Sequence, residues 1–169
     1  MEKIKFRGKH IHALPANEHL DGIWIYGYLA DGDYINSPEL EGEFLINKDT
    51  VGQYIGFNDA KRTVDFPKGE EIYNGDILEV ETRWKNAQED NSFNDDFGGM
   101  LGIKKKGKTY WVVEHKVFSS QVGFMIYGID RRFHKILTPN MIYNCNAKVA
   151  GNIWDTPELL RRKRYAGSI

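Results

Sequence analysis

A mainly β fold is what this chain of 169 residues predicts, and three observations point to it. Apolar residues recur with a period of two rather than 3.6, as strands with one buried face require. The apolar runs are short and bounded by Gly, Asn, Asp or Pro, which set the backbone for turns. A helix start is legible at one place only, near the C-terminus.

In chain order, the first strand predicted is 22–29, where Ile23-Trp24-Ile25-Tyr26 alternates β-branched and aromatic residues between Asp21-Gly22 and Asp31-Gly32-Asp33. Further strands are predicted at 43–46, 51–55, 76–84, 109–118, 124–127 and 143–149. Asn74-Gly75-Asp76 reads as a turn in which Gly75 supplies a left-handed backbone. The segments 60–68 and 86–99 are polar enough to be exposed loops. At 155–160, Asp155 or Thr156 can cap, Pro157 suits a first turn and Glu158 completes a capping box, so a short helix is predicted from about residue 157. Many short strands at this spacing imply antiparallel sheets that curl into a barrel or sandwich. The expected layout is one domain with N-terminal strands over about 1–50, a barrel core over about 51–150, and a C-terminal helix and tail over about 151–169. An α+β fold is the alternative.

Gly52-Gln53-Tyr54-Ile55-Gly56 and Glu71-Ile72-Tyr73-Asn74-Gly75-Asp76-Ile77-Leu78 surround turn-forming glycines with apolar strands. With Ile4-Lys5-Phe6-Arg7-Gly8-Lys9, Gly22-Ile23-Trp24-Ile25-Tyr26-Gly27 and Gly151-Asn152-Ile153-Trp154-Asp155-Thr156-Pro157, they resemble, in order, the YopX family of phage and prophage proteins. The resemblance implies an SH3-like barrel core and an accessory role in the bacterial host cell. It transfers no activity and no catalytic residue.

Composition limits the function classes. Apolar residues at 41% and aromatic residues at 13% suffice for a core without metal or disulfide support. The single cysteine, Cys145, cannot form an internal disulfide, and the first residues lack the apolar run of a secretory signal, so a cytoplasmic location is expected. No apolar run approaches the roughly 20 residues that span a bilayer, so no membrane partner is expected. The net charge of −1 is far from the basic excess of a protein that wraps nucleic acid. A nucleic-acid contact would therefore use a local patch, Lys104, Lys105, Lys106 and Lys108 or Arg161, Arg162, Lys163 and Arg164.

Gly102-Ile103-Lys104-Lys105-Lys106-Gly107-Lys108-Thr109 matches the phosphate-loop pattern G-x-x-x-x-G-K-[ST]. That chemistry needs a helix to open at Lys108-Thr109 so that its N-terminal amides face the phosphates, yet Tyr110-Trp111-Val112-Val113 continues as strand. A hairpin tip is the better reading. His10 and His12 would share a face if extended, but no further ligand completes a metal site, and both read as surface histidines. Cys145 with His115 or His134 could form a thiol–imidazole pair, although a lone cysteine is more often a small buried apolar residue. Glu89-Asp90 and Asp95-Asp96 fall in the 86–99 loop, where no desolvation would tune a carboxylate.

Trp24, Tyr26 and Tyr28 project to one face of their strand, a stacking platform for single-stranded nucleic acid or, more simply, core packing. The sequence thus predicts no catalytic, cofactor or metal site. Its best functional reading is a non-enzymatic module that binds a protein or nucleic acid. The rival readings are nucleic-acid binding through the two basic stretches and an enzyme with an unrecognised site.

Overall fold

The structure is a computed structural model that describes residues 4–12, 15–82, 107–118, 121–127 and 134–160. It forms two compact units. One takes the chain up to residue 57 together with 71–74, and the other takes 58–70 and the chain from 75 onward.

The first unit holds a six-stranded sheet made of β1 (Phe6–Lys9), β2 (Trp24–Leu29), β3 (Tyr34–Ser37), β4 (Gly42–Leu45), β5 (Gly52–Asn58) and β6 (Glu71–Tyr73), in the order β4-β3-β2-β1-β5-β6. Strand β1 pairs antiparallel with both β2 and β5, setting Arg7 between Tyr26 and Gly52. Alternation then sorts the side chains. Ile25, Ile35, Phe44 and Ile46 form the apolar core, with Phe6, Leu20 and Val51 packed against it.

The second unit holds an antiparallel sheet of β7 (Asp76–Thr82), β8 (Gly107–Phe118), β9 (Gln121–Tyr127), β10 (His134–Ile136) and β11 (Lys148–Asn152), in the order β10-β9-β8-β7-β11. Its buried apolar residues include Ile77, Leu78 and Val80 of β7 and Trp111, Val112 and Val113 of β8. Consecutive buried residues on β7 and β8 mark strands covered on both faces. Helix α1 (Pro139–Asn144) adds Met141 and Ile142 to this core.

The mainly β prediction holds, and the SH3-like barrel does not. Strands β4 and β6 end one sheet and β10 and β11 end the other, so neither sheet of described strands closes on itself. The reason is the position of β1, which recruits β5 from the expected barrel core into the N-terminal sheet. The strand predicted at 143–149 is also corrected: its first half lies at the end of α1, and β11 begins at Lys148. The Thr138 side chain caps that helix by accepting the Met141 amide, with Pro139 in the first turn, a signal as good as the one read at 155–158. The predicted C-terminal helix is a single 3-10 turn, Pro157–Leu160, as far as the described residues go.

Candidate functional site

The segment 58–70 of the second unit is an ordered loop organised by one side chain. Asp59 is fully buried, and its carboxylate accepts three backbone amides: Lys61 and Glu70 on Oδ1, at 3.0 and 2.9 Å, and Val149 of β11 on Oδ2, at 3.0 Å. A buried carboxylate is tolerable only when such donors replace its lost hydration. The backbone closes the same ring, with the Asp59 amide donating to the Glu70 carbonyl at 2.8 Å and the Ala60 amide to the Ala147 carbonyl at 2.8 Å. Arg62 donates to the Asp59 carbonyl. Farther out, the Thr63 hydroxyl accepts the Phe66 amide at 3.0 Å, and the Thr63 amide donates to the Phe66 carbonyl at 3.2 Å. This clamp holds Val64 97% exposed and Phe66 48% exposed, with the exposed cations Lys61, Arg62 and Lys68 around them.

A second constellation lies on the first unit's sheet, on the face opposite Ile25. Arg7, 5% exposed, sets its guanidinium 4.6 Å from the Trp24 ring centre and 4.9 Å from that of Tyr73, and the Lys9 ammonium lies 5.5 Å from Trp24. Tyr26 and Tyr54 each approach Tyr73 with ring centres 5.6 Å apart. The Tyr73 hydroxyl donates to Glu71 Oε2 at 2.6 Å, and Lys5 reaches both oxygens of the same carboxylate. The aromatic row of β2 is therefore packed, but in a layer of its own with cations rather than in the Ile25 core. Burial, then the bond to Glu71 and its negative charge, push the Tyr73 phenol far above its ordinary value of 10.0. A phenol raised on folding stabilises fully below that ordinary value, and the stabilisation is lost as pH rises above it, by up to about 1.4 kcal/mol per pH unit. Urea denaturation between about pH 9 and 11 should show this slope, and Tyr73→Phe should flatten it.

Two of the stretches that carry the family resemblance, 71–78 and 151–157, meet at Gly75. Its φ is +88°, a Cβ there would overlap the Trp154 ring, and the Ile153 amide donates to its carbonyl at 3.0 Å. Asn152 folds its own loop, Oδ1 accepting the amides of Trp154 and Asp155 while Thr156 Oγ1 takes the Asn152 amide. The family model described as YopX protein matches residues 18–161. The chain belongs to the YopX family. No curated protein and no solved structure matches it significantly. This part of the YopX signature is thus a scaffold feature here, a tight turn seating a tryptophan, while the 58–70 loop falls in the sequence between Gly56 and Glu71.

Among the described residues, the others singled out in the sequence do not assemble into a site. Gly107, Lys108 and Thr109 lie in β8, so no helix opens there and the phosphate-loop reading fails. Lys108 pairs with Glu79 at 2.8 Å, and the hydrogen bond and charge of that carboxylate raise its pKa. Lys104, Lys105 and Lys106, the tail Arg161, Arg162, Lys163 and Arg164, and the acidic loop all lie outside the described residues.

The Cys145 backbone carbonyl accepts the Glu81 amide at 3.0 Å, and Glu81 pairs with Lys108 across the strands. His115 lies seven residues farther along β8, roughly 23 Å at the usual strand rise, so the two form no thiol–imidazole pair. His12 is at the surface as expected; His10 is not. A bridge to Ile46 draws His10 inward, where Nδ1 donates to the Leu45 carbonyl at 2.8 Å and the ring stands edge-on to Phe44. Among the described residues no His, Cys, Asp or Glu group of three or more could hold a metal, and no helix is long and apolar enough to cross a membrane. Asp59 was not among the sequence candidates, since nothing in Asn58-Asp59-Ala60 distinguishes it from a solvated turn aspartate.

Proposed function

We infer that this member of the YopX family is a non-enzymatic binding module, an accessory protein of phage or prophage origin acting in the cytoplasm of a bacterial host, and that the 58–70 loop grips a protein partner. One observation supports the reading: a buried carboxylate with three amide donors fixes a loop whose outermost side chains, Val64 and Phe66, are apolar and in water. Exposed apolar residues on a preorganised loop bind with little further loss of chain entropy, and loops on rigid scaffolds are where recognition concentrates. Asp65, between Val64 and Phe66, favours a protein surface with hydrogen-bond donors over a bilayer interior.

Capture from bacterial lysate, treated with nuclease beforehand, tests this. The intact protein should retain a defined partner that Val64→Ser/Phe66→Ser loses by tenfold or more, a deficit of about 1.4 kcal/mol or greater. Equal recovery by both proteins would refute the loop, and recovery abolished by nuclease would assign the partner to nucleic acid.

A further inference from the structure

We propose that the surface gripped by the loop belongs to a second copy of this chain, namely the outer face of its β3–β4 hairpin; the proposal rests on the loop being the recognition element. The two surfaces match in chemistry. Around Val64 and Phe66 the loop carries Lys61, Arg62 and Lys68 against Asp65. The hairpin exposes Tyr34 and Leu40, at 41% and 43%, beside Glu39, Glu41 and Glu43, and no cation occurs from Asp31 to Asn47.

Strand register places these hairpin residues together. Asn36 pairs with Glu43 and Tyr34 with Leu45, which turns Tyr34, Asn36 and Glu43 to the side opposite buried Ile35 and Phe44, while Glu39, Leu40 and Glu41 form the exposed connecting turn. Opposite charge on the two surfaces favours contact between unlike surfaces and disfavours like-to-like pairing. Val64 and Phe66 then supply the apolar centre, and the lysines and glutamates a polar rim. A contact of one surface with a different surface is heterologous, so copies can add in series or close into a ring.

Sedimentation of the intact protein from about 1 to 200 µM should show association that deepens with concentration and weakens as salt rises. Val64→Asp, at a position whose side chain is in solvent, should weaken it tenfold or more, as should Lys61→Glu/Lys68→Glu and, separately, Glu39→Lys/Glu41→Lys. Mixing those two charge-reversed variants should restore association, because each then offers the complement of the other. A protein that stays monomeric across the range, association that Val64→Asp leaves unchanged, or a mixture that stays monomeric would each overturn the self-contact. A monomer whose lysate partner is still lost with Val64→Ser/Phe66→Ser would sink only the identity of the partner. Lysate capture indifferent to that double substitution would sink the loop itself.

Discussion

Asp59→Ala should cost the unit that holds it about 3–5 kcal/mol, because the truncation strands three amides that the carboxylate now satisfies in a fully buried position. Bonds to a charged acceptor are each worth more than neutral ones, and here they converge on one residue. The three amides belong to Lys61, Glu70 and Val149, so the lost contacts release both ends of the loop and its tie to β11 together. Asp59→Asn separates shape from charge. Its oxygen can still accept two amides, but its NH2 group then opposes the remaining donor, and an intermediate loss of about 2–3 kcal/mol is expected. Urea denaturation followed by tryptophan fluorescence measures both, since Trp111 and Trp154 lie in this unit. A loss under about 1 kcal/mol for alanine would mean that water replaces the carboxylate and that the loop is held by its backbone alone. The same substitution should weaken partner capture with Val64 and Phe66 still present, because what binds is their fixed presentation.

How far such features were legible depends on whether the deciding interaction is local in sequence. Strands β2, β5, β7 and β8 announced themselves because alternation and flanking turns are local, and Gly75 did so because an Asn-Gly turn specifies its own backbone. Strands β1, β3 and β10, of four, four and three residues, did not: so short a run shows a period only where its few residues and flanking turns happen to mark it, as at β4. The barrel failed because closure depends on which strands pair, and the pairing of β1 with β5 joins residues some 45 positions apart. Asp59 was illegible for the same reason, since one of its amide partners, Val149, lies 90 residues away. The loop itself was read correctly as exposed. What polarity could not reveal is that its apolar tip is held in place, because rigidity comes from the anchor and not from the tip.

Gly75→Ala should be nearly as damaging, at about 2–5 kcal/mol, through two separable costs. A residue with a Cβ at φ +88° loses about 1–2 kcal/mol in the left-handed region. The overlap of that Cβ with the Trp154 ring adds overpacking of about 1–3 kcal/mol. Relaxation by backbone rotation is blocked, since the Gly75 amide donates to the Val113 carbonyl at 2.8 Å while its own carbonyl accepts from Ile153. A double-mutant cycle with Trp154→Val divides the two costs. In that background the ring is gone, so the alanine should cost only the conformational share, and the difference between backgrounds is the steric coupling. Equal costs in both would show that the tryptophan moves aside freely and that only backbone geometry requires the glycine. A coupling above about 1 kcal/mol would give this part of the family signature a physical cause: the turn at Gly75 and the tryptophan 79 residues later fit each other only when neither is changed.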